Sequence, residues 1–281
     1  MGVRAPRLVI HADAGPGVGS GHLGRSLALA QAWRDVGGDV VLASPAAPPE
    51  WVARYRAEGV LVTDDLDASA SADWVVLDGY RFGRSDQLAV TAGDARLLVI
   101  DDHAIVGSYA ADLVLDQNLD ASPTGYRSSG TDVDVLLGTR YVLLRRDFRR
   151  RPPFPIEVPE RVSTILVTLG GSPPPAAVAV VEAALAMLPS ELRIRWLSGV
   201  VDVAPVMAKA EVAISGAGST CWELCCVGVP SVLVTVAENQ APVASALDSA
   251  GVARNAGRYE QLDPDALVAT VMELVDDRRL R

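Results

Sequence analysis

Cysteine and histidine are both scarce in this chain, with three of each among 281 residues. Cys221, Cys225 and Cys226 cluster, are odd in number and have no histidine beside them. That supports neither a disulfide framework nor a zinc site, and they read as apolar residues buried on one helix. No apolar run approaches the roughly 20 residues that span a bilayer. The N-terminus also lacks the basic start, apolar stretch and cleavage site of a signal peptide. The expectation is a cytoplasmic protein with no membrane span. Positive charge is in deficit too: the formal net charge is -10, which argues against nucleic acid or an anionic membrane as the main partner.

What is present is alternation. Short β-branched runs at 8–12, 40–43, 74–77, 97–100 and 113–115 are separated by helical patterns, the signature of a parallel sheet covered on both faces. A helix opening at His22 should stop at Gly37-Gly38, which suits a left-handed cap. At 149–162 arginine and proline replace the apolar rhythm, and a linker is placed there between domains at 1–148 and 163–281. The pattern then restarts with a strand at 164–168, a glycine turn at 169–172 and a helix reaching about 188. Strands follow at 194–197, 212–214 and 232–234. A last helix opens at Asp263-Pro264, an N-cap followed by a first-turn proline.

Two strand-to-helix turns are lined with glycine: Gly15 to His22 after the first strand, and Ser215 to Glu223 after the strand at 212–214. Such turns let a ligand approach the backbone, and the unbonded amides of the helix start can hold a phosphate without a metal. Gly19-Ser20-Gly21-His22-Leu23-Gly24 formally matches a dinucleotide fingerprint. Its glycines come well after the strand end, however, and Ala43-Ser44 supplies no carboxylate for a ribose, so no dinucleotide cofactor is expected. No Walker lysine follows the glycines either.

Several residues carry two readings each. His22, at the helix start, is either a general base or a histidine bonding a local carbonyl. Asp13, Asp78 and the pair Asp101-Asp102 follow strands, at the edge where ligands of open α/β sheets bind, and either meet a ligand or cap loops. Glu223 either closes a capping box with Thr220 or accepts ribose hydroxyls. Asn239-Gln240 either opens the next helix or offers amides to a sugar.

The segments Ala12-Asp13-Ala14 with Gly19 to Arg25, Asp101-Asp102, Tyr141 to Arg145 with Phe148, Leu169-Gly170-Gly171-Ser172, and Ile214 to Glu223 through Gly228-Val229-Pro230 to Asn239-Gln240 occur together and in order. Together they resemble the nucleotide-sugar hydrolases of the pseudaminic acid pathway, which cleave a UDP-linked diacetamido-trideoxy sugar, and their spore-coat polysaccharide relatives. The parent architecture resembles the GT-B glycosyltransferases of the MurG type. The resemblance implies an α/β fold of two Rossmann-like domains whose parallel sheets face a central cleft. It implies His22 as the base that activates water, with Asp13, Tyr80 and Asn239 near the sugar. Gly171, Ser172, Gly218, Ser219, Thr220 and Glu223 would hold the diphosphate and ribose. Gly19, Gly21, Arg25, Asp78, Asp102 and Gln240 would be further substrate contacts. The partner implied is a small nucleotide-sugar, with no metal and no cofactor; the oligomeric state is left open, with a monomer favoured. Release of UDP and free sugar with inversion is the reaction implied, and transfer to an acceptor or binding without catalysis are the alternatives. No apolar acceptor patch is evident along the sequence.

Three positions depart from that pattern. Pro173-Pro174-Pro175 follow Ser172 and supply no amide hydrogens, which limits the phosphate donors there to Gly170, Gly171 and Ser172. The segment after Gly199 is short by about one helix and strand, which should reshape the base pocket. Gly79 stands where relatives carry a larger polar residue, and should leave room for a different sugar.

Overall fold

The computed structural model describes residues 4–15, 17–127, 133–149, 157–197 and 203–281. Half of the expected linker, at 150–156, and Ser198 with Gly199 lie outside the described residues. The chain divides into two compact units, Met1–Arg145 and Arg146–Arg281.

The first unit is built on seven strands: β1 (Arg7–Ala12), β2 (Asp39–Ala43), β3 (Leu61–Thr63), β4 (Trp74–Asp78), β5 (Arg96–Ile100), β6 (Leu113–Asp116) and β7 (Asp134–Leu137). Their order is β3-β2-β1-β4-β5-β6-β7, and each pairing is parallel. Leu8, Val9 and Ile10 are all buried, as consecutive strand residues must be when helices cover both faces. One face packs Val75, Leu77, Leu97, Val99 and Val114 against Phe82, Tyr109 and Tyr126. Because the strands run the same way, the loops after β1, β4, β5 and β6 leave one edge side by side. The helix Gly21–Asp35 follows β1 and ends before Gly37, whose φ of 86° provides the left-handed exit.

The second unit carries β8 (Thr164–Thr168), β9 (Arg193–Trp196), β10 (Val212–Gly216), β11 (Ser231–Thr235) and β12 (Arg254–Arg258), all parallel, in the order β12-β11-β10-β8-β9. Val181 and Ala184 of the helix Pro175–Leu185, and Leu267, Val271 and Leu274 of the helix Pro264–Asp276, close over Ile165, Val167, Val212, Ile214, Val232 and Val234. The Asp263 carboxylate accepts the Asp265 amide, so the last helix starts with the side-chain cap expected of it. Strands β3, β7 and β12 have no counterpart in the sequence reading. β12 reads Arg-Asn-Ala-Gly-Arg and is half-buried throughout. At a sheet edge, pairing with a neighbour decides the conformation and no apolar run is needed.

The cysteines need a correction. On the helix Thr220–Val227 only Cys221 is buried; Cys225 is exposed and Cys226 half-buried. Helical rotation turns Cys226 away from Cys221, whereas Cys225 follows Cys221 by one turn on the same side and is exposed near the C-terminal end of the helix.

Candidate functional site

In the first unit the sheet edge gathers acids around a single arginine. Asp78, the last residue of β4, is 0 % exposed. Its Oδ1 accepts Nδ1 of His22 at 2.7 Å and Nη2 of Arg25 at 2.7 Å, and its Oδ2 accepts the Ser26 hydroxyl at 2.8 Å. Burial by itself would raise the pKa of this carboxyl. The charge of Arg25, with the hydrogen bonds from Arg25 and His22, overturns that and holds it well below the usual carboxylate range. An ionised Asp78 can only accept, so Nδ1 of His22 is the protonated nitrogen. The lone pair of the imidazole is thereby assigned to Nε2, which takes no hydrogen bond from the described residues. His22 is 4 % exposed, and the ring of Tyr80 stands edge-on to it at 4.9 Å.

The network continues past Arg25. Its Nη1 meets both oxygens of Asp102 at 3.0 and 2.9 Å, and Nδ2 of Asn118 donates to Asp102 and to Asp116 at 2.9 and 2.8 Å. Asp116, the last residue of β6, also accepts the Tyr126 hydroxyl and the amide of His103. His103 and Ala104 both have positive φ, near 61° and 56°. Asp116 and Tyr126 bind the two amides and so hold the chain in this sparsely populated conformation. Burial raises the pKa of the Asp101 carboxyl, which accepts the Tyr109 hydroxyl and the Val106 amide.

These contacts correct several sequence expectations. Arg25, Asp78 and Asp102 are buried and bound to one another. They form a support under His22. Asp13 is also buried, and it pairs with Arg81, a residue the sequence did not single out. Gly79 does not open a pocket: a Cβ there would overlap the Asp13 side chain. Ser26, Asp116 and Asn118 were missed too, although Asp116 closes its strand as Asp78 does, and that parallel was the available signal. Gly19 lies in the β1 loop with a φ of 76°, beside open space. Gly21 is the first residue of the following helix.

His11, on β1, is buried with Nε2 2.8 Å from the Ser69 hydroxyl, and burial followed by the charge of Arg81 lowers its pKa from 6.5. A folded-state value below the unfolded one means the unfolded chain binds the extra proton first, so stability should fall as pH drops below about 6.5. Comparing unfolding temperatures of the native chain and His11→Asn from pH 8 to 5 should show an acid loss that the variant lacks. Parallel curves would disprove it.

In the second unit the turn after β10 is clamped by Gln240. Its Oε1 accepts the amides of Ala217 at 3.2 Å and Val236 at 3.1 Å. Both partners are donors, so the oxygen is identified and Nε2 must be the atom left over, on the side of Gly218. The amides of Gly218, Ser219 and Thr220 have no hydrogen-bond partner among the described residues. Ser219 is the N-cap and makes no side-chain cap, so Thr220 and Glu223 do not form the capping box. Glu223 and Asn239 are half-buried. After β8, Gly171 and Ser172 are exposed, and the helix begins only at Pro175 with Pro174 as its N-cap. They therefore precede that helix, and its first position carries no amide hydrogen.

Residues 191–280 match the model of the glycosyltransferase family 28 C-terminal domain. The two parallel sheets together match solved glycosyltransferases. The fold is GT-B. MurG of Acinetobacter baumannii aligns with a TM-score of 0.65 at 18 % identity, covering 98 % of this chain and 92 % of that one. The glycotransferase of kitacinnamycin aligns at 0.61 and 17 % over 99 % and 92 % of the two chains. The spinosyn rhamnosyltransferase SpnG, complexed with thymidine diphosphate, aligns at 0.59 and 16 % over 97 % and 92 %. No curated protein matches the sequence. Among the described residues, no helix is long and apolar enough to cross a membrane, and no group of three or more His, Cys, Asp and Glu side chains is placed to hold a metal ion.

Proposed function

We propose that this GT-B protein transfers a sugar from a nucleotide-sugar donor to an acceptor hydroxyl, with His22 as the base. The observation that carries the reading is the Asp78–His22 contact, which fixes the imidazole tautomer with Nε2 as the open lone pair. In the step proposed, Nε2 takes the acceptor's hydroxyl proton and the oxygen attacks the anomeric carbon. The bond from that carbon to the diphosphate oxygen breaks, and the configuration inverts. The departing nucleoside diphosphate gains negative charge as it leaves. The amides of Gly218, Ser219 and Thr220, with Nε2 of Gln240, are the donors available to stabilise it. Gly171 and Ser172 are further candidates, while Glu223 and Asn239 are assigned to the ribose and sugar hydroxyls. Tyr80 and Asp13 are assigned to the sugar side of the first unit.

Transfer is favoured over hydrolysis by four apolar side chains along the edge that carries His22. Val18, Tyr80, Ile105 and Leu119 are 39, 46, 54 and 40 % exposed, and they lie on the loops after β1, β4, β5 and β6, four neighbouring strands. Water as nucleophile needs no apolar rim, whereas an acceptor with apolar surface would be held by one. Hydrolysis of a UDP-linked diacetamido-trideoxy sugar is the second reading, favoured by the ordered motif set from Ala12 to Gln240.

Incubation with UDP- and thymidine-diphosphate-sugars separates the two. Release of the nucleoside diphosphate only when an acceptor alcohol is added supports transfer, and release in buffer alone supports hydrolysis. His22→Gln should lower release by about 10²–10⁴-fold, with little change in nucleoside diphosphate affinity measured by calorimetry. Binding with no release under either condition would overturn the catalytic reading.

A further inference from the structure

Arg25 carries a role that goes beyond the proposed function and rests on His22 being its base. The guanidinium is 6 % exposed and fully engaged: Nε and Nη2 meet Asp78, and Nη1 meets Asp102. Nη2 also stands 3.2 Å from Nδ1 of His22. Both nitrogens are donors there, so the approach is an electrostatic contact and not a hydrogen bond.

A buried carboxylate against an imidazole favours the imidazolium, and a histidine that already holds its second proton cannot act as a base. The same Asp78 that orients His22 therefore threatens to disable it, and a cation beside both groups counters that tendency. We propose that Arg25 is a positioning residue that neutralises Asp78, so that His22 is held in place by the carboxylate and still keeps Nε2 free of a proton. Asp102 restrains this effect by drawing part of the guanidinium charge to itself.

The charged and titratable groups around His22 are few. Asp78 faces it from β4, Arg25 from its own helix and Tyr80 from the loop after β4. The buried Tyr55, whose hydroxyl bonds the Leu23 carbonyl, interacts electrostatically with both Asp78 and Arg145. The Asp13–Arg81 pair sits across Gly79, and Asp102 reaches His22 only through Arg25. Arg25 is thus the one cation in direct contact with His22 among the described residues.

The test is an NMR pH titration of the full chain labelled with ¹⁵N-histidine, without donor or acceptor. There are three histidines, and His11→Gln and His103→Gln assign their signals. Arg25→Met should raise the titration midpoint of His22 by about 1–3 pH units. Arg25→Lys should return most of that shift, because it restores charge without the fork. Asp102→Asn should move the midpoint the other way, downwards. A merely structural lesion would not reverse sign between the two sites. An unchanged or lowered midpoint in Arg25→Met overturns the proposal. Should that variant fail to fold, an unchanged or raised midpoint in Asp102→Asn does the same. If His22→Gln keeps full activity while the midpoints move as stated, the base assignment fails and the tuning role stands.

Discussion

Asp78→Asn is expected to lower turnover by roughly 10³–10⁴-fold, the loss that follows when a catalytic histidine is held in the wrong tautomer. Asparagine keeps the shape of aspartate but presents an amide. Facing Nδ1 of His22 with a donor, it would make Nδ1 the acceptor and place the ring proton on Nε2. The nitrogen proposed to take the acceptor proton would then already carry one. The same substitution leaves Arg25 buried with Asp102 as its remaining anion, and Ser26 with a weaker acceptor. Breaking a buried ion pair in this way costs about 3–5 kcal/mol, or roughly 6–20 °C in unfolding temperature for a unit of this size. Calorimetric scans and steady-state rates measured on one preparation check both effects. Affinity for a nucleoside diphosphate should barely change, because its proposed donors, Gly218 to Thr220, belong to the other unit. Normal turnover in Asp78→Asn would show that the tautomer of His22 is irrelevant, and the proposed chemistry would fall with it.

The second large effect is expected at Gly79. Its φ is 159°, and an added Cβ would overlap the Asp13 side chain, which is itself tied to Arg81 and, through its amide, to the Asp78 carbonyl at 2.9 Å. Gly79→Ala must therefore displace Asp13 or bend the end of β4, and both routes disturb Asp78 and Tyr80 on either side. Overpacking with backbone strain of this kind costs about 2–5 kcal/mol. The double variant Gly79→Ala with Asp13→Gly removes the overlapping atoms and should recover most of that loss in a thermal-unfolding cycle. A double variant no more stable than Gly79→Ala would trace the cost to some source other than the Asp13 contact.

Much of the architecture was legible residue by residue. Fully buried parallel strands such as Leu8-Val9-Ile10 must be apolar at consecutive positions, which sets them apart from amphipathic helices. Asp263-Pro264 and Gly37 marked their helix ends because capping is local chemistry. Three of the four edge strands, β3, β7 and β12, escaped notice, and β12 shows the converse case: Arg254–Arg258 is held by its neighbour β11 and carries no pattern of its own.

The site divides along the same line. The sequence by itself determined that acids would follow β-strands, that His22 would stand at a helix start and that glycine would shape both turns, because chain-local geometry dictates each of these. Only the tertiary structure decided what those residues touch. Arg25, Asp78 and Asp102 are up to 77 positions apart, and they converge in a buried ion network beneath His22. The apolar rim of Val18, Tyr80, Ile105 and Leu119 was likewise invisible as a run of sequence, and a parallel sheet placed it on one edge. Pairwise electrostatics and shared surface depend on distance in space, and a linear chain does not record that distance until it folds.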